Sequence, residues 1–351
     1  MRFLRTASSV FSAYLLKKGA KGLLRASVCI AVGLQVSASR PAVGQVLSQT
    51  VSQAVETQSA HGSQPLRVSQ AAPVTKKPIP SQTDSSFLWT IDTPSNTVYL
   101  LGSVHMLSAE DYPLAQPIQA AFLDAETVVF ELDLNETTTP EAINTVLESA
   151  LPDNQNESLR AALTPELYDL AADASADIGL PIASIDRFEP WVFSTNLEVM
   201  KLAQLGFSNE YGVDGYFFQR ALEAGKEIVA LETLAEQIGL FDSLPIATQQ
   251  AFVEQTINDL ETLETSFNDI RTAWHNGDVD TMEALVIGES QNYPALHDAL
   301  FTQRNNAWMD AIAPMLNQSD DYLIVVGAGH LVGETGLIEQ LQALGYILEQ
   351  Q

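Results

Sequence analysis

Two short stretches of the chain, TVYLLGSVH at residues 97–105 and YLIVVGAGH at residues 322–330, follow one pattern. Each is an apolar run rich in β-branched and aromatic residues, followed by a glycine, two further residues and a histidine. The runs predict buried β-strands, and the glycine lets the backbone turn sharply and leaves room beside the imidazole. Because open α/β sheets bind ligands at the carboxyl ends of their strands, we expect His105 and His330 to share one site.

Strand-like and helix-like segments alternate around these stretches, which predicts an α/β fold, with α+β as the alternative. We expect a buried mixed sheet flanked by helices, although the order of its strands cannot be read from the sequence. Phe87–Ile91 and Thr97–Leu101, joined by a turn at residues 93–96, predict a hairpin. Further strands are predicted at residues 127–134, 227–231, 322–326 and 346–348. Helices are predicted at residues 115–125, from the Thr164-Pro165-Glu166 start signal onward, and at 190–224, 247–275, 294–316 and 334–344.

The chain of 351 residues divides into three parts by composition. Residues 1–38 place basic residues before an apolar stretch that ends in Val36-Ser37-Ala38, a pattern typical of an export signal. An uncleaved membrane anchor is the alternative, but the apolar run is shorter than the ~20 residues of a spanning helix. Residues 39–86 are rich in Ser, Gln and Pro and predict a disordered linker, and residues 87–351 predict the folded domain. We therefore expect an exported protein that is periplasmic, extracellular or membrane-anchored.

Charge is distributed very unevenly along the chain. Residues 1–80 hold ten Lys and Arg and a single acid, which leaves seven of the 17 basic and 43 of the 44 acidic residues, a formal charge of −36, to the rest. A surface this acidic repels phosphate backbones and anionic lipids, so we expect no nucleic-acid binding and no membrane contact except through an uncleaved amino-terminal segment. The single cysteine, Cys29, precedes the folded part. A metal site there must therefore use histidine and carboxylate ligands.

Carboxylates at strand ends are the natural partners of the two motif histidines, because two imidazoles and one acid form a common metal site. Glu131 lies in the apolar run VVFEL, where an acid is costly unless it is ligated or ion-paired. Asp133 alternates onto the same face, and Glu232 directly follows the run EIVAL. Asp214 lies in a loop that enters a helix. Arg304 could bind a substrate carboxylate or an oxyanion, with an ordinary ion pair as the alternative.

Other catalytic templates do not match the sequence. No Walker loop, dinucleotide glycine fingerprint, Gly-x-Ser-x-Gly elbow, His-Glu-x-x-His helix or calcium loop is present. Ser103, two residues before His105, is not predicted to form a catalytic triad. Of the remaining histidines, His61 lies in the linker, whereas His275 and His297 lie on predicted helices and are expected to be structural or incidental.

Several segments together resemble the TraB/GumN family over residues 86–350. They are FLWTIDTPSNTVYLLGSVHML at residues 87–107, AFLDAETVVFELDL at 121–134, YGVDGYFFQRALEAGKEIVALET at 211–233, QRNNAWMDAI at 303–312 and YLIVVGAGHLVGETGLIEQLQALGYIL at 322–348. Gln237 matches a glutamine that follows the central segment, while Gln303 stands where many relatives have Glu. The family is similar to the Tiki metalloproteases and, more remotely, to erythromycin-esterase-like and ChaN-like proteins.

The resemblance implies a metal site. His105 and His330 match the motif histidines and Glu131 matches the buried acid, so these three are the expected ligands of a divalent cation, with Mn²⁺, Co²⁺ and Zn²⁺ left open. Asp214, Glu232 and Arg304 match further polar positions, and we expect them to be catalytic. Glu232 or Asp214 would act as general base or complete the coordination, and Arg304 would stabilise an oxyanion or anchor the substrate.

The expected activity is hydrolysis by an exported, metal-dependent enzyme. Peptide-bond cleavage is implied by the Tiki branch, and peptide-pheromone inhibition by the TraB branch. A bound cation would lower the pKa of water and polarise the scissile carbonyl. Two alternatives remain open: a non-catalytic protein that sequesters a peptide or a metal, and an esterase-like hydrolase of a small molecule. The expected partner is accordingly a peptide or small-molecule substrate.

Overall fold

A computed structural model describes residues 85–152, 158–291 and 294–351. The predicted export signal and the predicted linker up to residue 84 lie outside the described residues.

Six strands form one mixed sheet in the order β4-β3-β5-β2-β1-β6. The strands are β1 Leu88–Asp92, β2 Thr97–Ser103, β3 Thr127–Phe130, β4 Glu227–Ala230, β5 Tyr322–Gly327 and β6 Glu349–Gln350. The central strands β4, β3, β5 and β2 are parallel, whereas β1 is antiparallel to both β2 and β6. The predicted α/β architecture with a mixed sheet is therefore confirmed, and four carboxyl ends of parallel strands meet at one edge.

Helices flank this sheet. They are α1 Gln116–Asp124, α2 Pro140–Ala150, α3 Leu159–Ala162, α4 Pro165–Asp177, α5 Pro190–Gln204, α6 Val213–Ala224, α7 Leu234–Asp242, α8 Ile246–Asp259, α9 Leu263–His275, α10 Val279–Ser290, α11 Pro294–His297, α12 Gln303–Met315, α13 Ala328–Leu331 and α14 Leu337–Ala343. A π-helical turn at Asp298–Thr302 leads into α12. In the described part of the chain, none of the helices combines the length and the apolarity needed to cross a bilayer.

The helix start predicted at Thr164-Pro165-Glu166 is confirmed. The Thr164 side chain accepts a hydrogen bond from the Leu167 backbone N–H at the start of α4, and Pro165 occupies the first turn. Proline suits this position because its missing N–H would have had no partner within the helix.

Several predicted boundaries are wrong, and the helices predicted at residues 190–224 and 247–275 are each divided in two. The strand expected at residues 127–134 ends at Phe130, so Glu131 follows the strand instead of lying within it. Asp133 does not alternate beside Glu131, because the chain turns there and the Asp133 carboxylate accepts from the Asn135 backbone N–H at 2.8 Å. The last strand is Glu349–Gln350 and not residues 346–348, and α14 begins only at Leu337, where Gly336 is the N-cap residue.

Candidate active site

The polar residues predicted at strand ends meet at the edge where the four parallel strands finish. Ser103 of β2 pairs with Gly327 of β5, and Phe130 of β3 pairs with both Val325 of β5 and Ala230 of β4. The residues just beyond these pairs therefore project from one edge of the sheet. They are His105, Glu131, Glu232 and His330.

A small space beside Gly327 is bordered by the three predicted metal ligands. A Cβ atom at residue 327 would lie 3.3 Å from Glu131 Oε1 and 3.6 Å from His105 Nε2. It would also lie 3.5 Å from Cδ2 of the His330 ring. The space therefore exists because residue 327 has no side chain, and two potential ligand atoms face it.

His105 is oriented by Asp214, in the first turn of α6. His105 Nδ1 lies 2.6 Å from Asp214 Oδ2, and the Ser103 hydroxyl donates to Asp214 Oδ1 at 2.7 Å. Burial opposes ionisation of both groups, but their attraction outweighs it, so the pKa of His105 is raised and that of Asp214 is lowered. The bond to Asp214 leaves Nε2 as the free ring nitrogen, and no described residue bonds to it, an orientation typical of metal-ligating histidines. Gly212 permits this approach of α6, since a Cβ there would lie 2.1 Å from the His105 carbonyl oxygen.

Arg304, on α12, uses every N–H of its guanidinium within the protein. Nε and Nη2 donate to the two oxygens of Glu232 at 3.0 and 2.6 Å, and Nη2 also donates to Glu131 Oε2 at 2.7 Å. Nη1 donates to His330 Nε2 at 2.9 Å and to the Leu300 carbonyl at 3.3 Å. A guanidinium has five N–H donors, so none remains for a substrate oxyanion or carboxylate in this arrangement. Arg304 instead joins two acids and one imidazole. Burial alone would lower the pKa of Arg304, but the charges of the two acids outweigh this effect and raise it.

His330 is a neutral imidazole with both nitrogens engaged. Its Nδ1 lies 2.7 Å from Asn305 Oδ1, an acceptor, and its Nε2 accepts from Arg304. Burial, followed by the charge of Arg304, lowers the pKa of His330 well below its usual value. The rings of Trp308 and Phe301 pack against the imidazole at 4.4 and 5.2 Å between centroids. His330 Nε2, the atom expected to bind a metal, therefore faces the Arg304 guanidinium.

The two buried acids are linked by a glutamine. Glu131 Oε1 accepts from the Gly327 backbone N–H at 2.7 Å, and its Oε2 accepts from Gln237 at 3.4 Å in addition to Arg304. The same Gln237 amide donates to Glu232 Oε1 at 2.8 Å. Burial raises the pKa of Glu232, and Arg304 offsets this only in part. Glu131 thus has a cationic partner, as the ion-pair alternative expected, and also keeps one oxygen at the space beside Gly327.

Sequence reasoning missed some of these residues. Ser103 and Asn305 contribute directly to the network, and Gln237 was noticed only through the family resemblance. The position of Ser103 at the end of the strand that precedes His105 could have indicated its role in the site. For Asn305 the sequence offered only its position next to Arg304. The other two histidines within the described residues lie elsewhere: His275 Nε2 contacts Asp111, and His297 Nδ1 contacts Ser290.

The residues of the site fit a divalent cation in part. His105 Nε2 and Glu131 Oε1 face one space, and two further carboxylates, Asp214 and Glu232, bind the neighbouring His105 and Arg304. However, the described residues contain no group of three or more histidine, cysteine or acidic side chains already placed to hold a metal. The third predicted donor, His330 Nε2, becomes available only if Arg304 leaves it.

Several known proteins are similar in sequence to this chain. YbaP of Escherichia coli (strain K12), described as uncharacterized, is 26% identical over 253 residues, covering 72% of this chain and 90% of YbaP. Metalloprotease TIKI2 of Danio rerio is 22% identical over 329 aligned residues, covering 78% of this chain and 62% of TIKI2. Metalloprotease TIKI1 of Xenopus tropicalis is 24% identical, covering 75% of this chain and 61% of TIKI1. No solved structure matches the chain. The sequence profile of the TraB/PrgY/gumN family matches residues 87–350, and the chain therefore belongs to the TraB/PrgY/gumN family.

Proposed function

We propose that this protein is a hydrolase that uses a divalent cation to cleave amide bonds in peptides. The observation that carries the proposal is the convergence of His105 Nε2 and Glu131 Oε1 on the space beside Gly327. The similarity to two proteins named as metalloproteases supports it, although identity to them is only 22% and 24%.

Three side chains would hold the cation. His105 and Glu131 would supply Nε2 and Oε1, and His330 would supply Nε2 once Arg304 had moved away. A bound divalent cation would supply Lewis-acid chemistry, by lowering the pKa of water and polarising a carbonyl. Mn²⁺, Co²⁺ and Zn²⁺ all accept imidazole and carboxylate ligands, so the donor set leaves the choice among them open.

The remaining groups divide into a proton acceptor and positioning residues. Glu232 is the proposed general base, because among the described residues its Oε2 accepts a hydrogen bond from Arg304 alone, and burial raises its pKa. Asp214 already binds His105 and Ser103, so we assign it the orientation of His105 instead of proton transfer. Gln237 holds Glu232 in place through the bond to Oε1.

Turnover of peptides by the purified protein tests this proposal. The protein would be stripped with a chelator, reloaded with Mn²⁺, Co²⁺ or Zn²⁺, and incubated with a pool of fluorogenic peptides and a set of esters. We expect peptide cleavage only after reloading. Glu232→Gln should lower kcat by about a hundredfold or more while metal binding persists, and His105→Ala should abolish both.

His297→Ala is the matched control, since His297 contacts Ser290 and none of the proposed ligands. Stoichiometric metal and peptide binding without turnover would instead establish a sequestering protein. Cleavage of esters alone would establish a small-molecule esterase.

We also propose that the protein is exported and that it binds no nucleic acid. Residues 1–38 have the basic and apolar pattern of a signal, and the remainder is strongly acidic. Mass spectrometry of the mature protein from secreting cells should find an amino terminus just after Ala38. An intact amino terminus in the membrane fraction would instead indicate an anchor.

A further inference from the structure

The Arg304 guanidinium occupies the position where His330 would have to meet a metal, and it also binds the second oxygen of Glu131. We propose that Arg304 is a resident counter-cation which a divalent metal must displace from His330, so that Arg304 sets the metal affinity of the site. This inference rests on the proposed function, because it concerns the same ligands.

Arg304 and a metal compete for the same nitrogen of His330. Its Nδ1 is directed at the Asn305 side-chain oxygen, so the ring has one lone pair, on Nε2. That lone pair accepts from Arg304 Nη1 at 2.9 Å. A single lone pair can serve an N–H donor or a metal, but not both. Metal ligation by His330 and the contact with Arg304 therefore exclude each other.

The displaced guanidinium already has an anchor in Glu232. Nε and Nη2 of Arg304 bind the two oxygens of this carboxylate, in the paired geometry that suits a guanidinium and a carboxylate. By contrast, His330 and Glu131 each hold Arg304 by one bond, and Glu131 Oε1 is already turned away towards Gly327. Arg304 can thus give up the single bonds and keep the pair to Glu232 if the two side chains shift together, away from His330.

Charge acts in the same direction. A guanidinium next to a divalent cation repels it, and at full burial this repulsion is poorly screened by solvent. Without metal, however, the guanidinium neutralises two buried carboxylates and stabilises the fold. Removing the charge of Arg304 should therefore weaken the metal-free protein and strengthen metal binding, a combination that a purely structural arginine would not produce.

The test compares wild type with Arg304→Met. Isothermal titration calorimetry gives the Kd for Mn²⁺ and for Zn²⁺, and thermal melts are recorded with chelator and with saturating metal. We expect Arg304→Met to bind Mn²⁺ at least tenfold more tightly than wild type. We also expect its Tm to be lower in chelator and to rise more on addition of metal.

Arg187→Met is the control, because it removes the same charge from an exposed arginine outside the candidate site. Its Tm and its Kd for Mn²⁺ should both stay those of wild type. If Arg304→Met does not fold, Arg304→Gln replaces it, and ¹⁵N spectra of the wild-type histidines give an independent reading. Metal should then shift His330 Nε2 from the range of a hydrogen-bonded acceptor to that of a ligand.

Unchanged or weaker Mn²⁺ binding in Arg304→Met would overturn the inference, as would a His330 signal that stays in place while metal binds. If metal-dependent turnover persists in that case, the proposed function stands and only the role of Arg304 is lost. If neither wild type nor variant binds any of the three metals, the inference and the metal dependence of the proposed function both fail.

Discussion

Glu198, on α5, is a fully buried acid that the proposed chemistry does not use. Neither of its carboxylate oxygens has a hydrogen-bond partner among the described residues. Burial, and then the negative charge of Asp259, raises its pKa well above the usual value for glutamate. The folded protein therefore keeps this carboxyl protonated under conditions in which the unfolded chain ionises it.

Glu198→Met should stabilise the protein at neutral pH. The stability contributed by protonated Glu198 is fully present below its pKa in the unfolded chain, about 4.3. It is lost as the pH rises through its higher pKa in the folded protein. An apolar side chain of similar size avoids this loss, so we expect a gain of about 1–3 kcal/mol at pH 7.5 and a smaller gain near pH 4. Urea unfolding at both pH values measures it, with the exposed Glu254→Met on α8 as control. Destabilisation at both pH values would mean that Glu198 has a favourable native partner.

The members of the candidate site were accessible to sequence reasoning, but their connections were not. His105 and His330 were found because a strand, a glycine and a histidine follow one another locally, and Glu232 because it directly follows an apolar run. The bond between Arg304 and Glu232, in contrast, joins residues 72 positions apart and depends on the order of β4, β3 and β5. Sequence spacing carries no information about that order, so the ion pair that was the alternative for Arg304 could not be assigned to particular acids.

The segment that leaves β2 carries His105 and is fastened to α9 by Asp111. Asp111 Oδ2 accepts from the backbone N–H and the hydroxyl of Ser108, both at 2.8 Å. Asp111 Oδ1 accepts from Arg271 Nε and lies 2.8 Å from His275 Nε2, and both partners belong to α9. Burial alone would raise the pKa of Asp111, but bonds from His275 and Arg271 outweigh it and lower the pKa to about 2.

Asp111→Asn should loosen this fastening and destabilise the protein by about 3 kcal/mol at neutral pH, because it leaves the buried charge of Arg271 unpaired. The lowered pKa of Asp111 means that its contribution is present above about pH 4 and is lost as the pH falls towards about 2. Wild type should accordingly lose more stability than Asp111→Asn over that interval. Urea unfolding at several pH values tests both statements. Asp269→Asn, which removes an exposed acid on α9, is the control, and an equal loss in the two variants would show that Asp111 does not hold this segment to α9.

Local sequence was sufficient to predict some boundaries of helices and strands but not others. The hairpin of β1 and β2 and the start of α4 were predicted because turn residues and capping residues act within a few positions. The signal Thr139-Pro140-Glu141 at the start of α2 has the same form as the one before α4, so this helix could have been predicted and was not. Strand β6 is different, since Glu349 and Gln350 are polar and extended only because they pair with Trp89 and Thr90.

Acidic side chains greatly outnumber basic ones in the folded part of the molecule. Residues 81–351 hold only seven basic side chains, and two of these, Arg271 and Arg304, are buried in ion pairs. The same pairs also bury Asp111 and Glu131, so the surface keeps five basic side chains and remains strongly acidic. Self-repulsion of this kind is screened by salt, so comparisons of stability between forms of different charge need moderate ionic strength.

The two ends of residues 85–351 are fastened to each other. The Gln351 backbone N–H donates to the Leu88 carbonyl at 2.9 Å, and Ser86 donates to the Gln351 carbonyl through both its backbone N–H and its hydroxyl. The Gln350 side chain donates to the Ser86 and Gly277 carbonyls at 3.1 and 2.7 Å. Phe87 is fully buried beside this junction. Within the described residues, these bonds therefore join the start of β1 to the last strand of the sheet.

Removal of residues 1–80 should for this reason leave a folded protein with nearly the same Tm as the full chain, within about 2 °C, which corresponds to about 1 kcal/mol for a domain of this size. Removal of residues 1–88 should lower stability by at least about 3–5 kcal/mol, because it deletes the buried Phe87 and the first residue of β1. The first deletion takes away ten basic residues and one acid, so its net charge falls from −27 to −36. Thermal melts of all three proteins in about 0.2 M salt, which limits the effect of that charge to short range, distinguish the contributions. A large drop in Tm already on removal of residues 1–80 would show that the amino-terminal part packs against the domain, and the boundary predicted from composition would then be wrong.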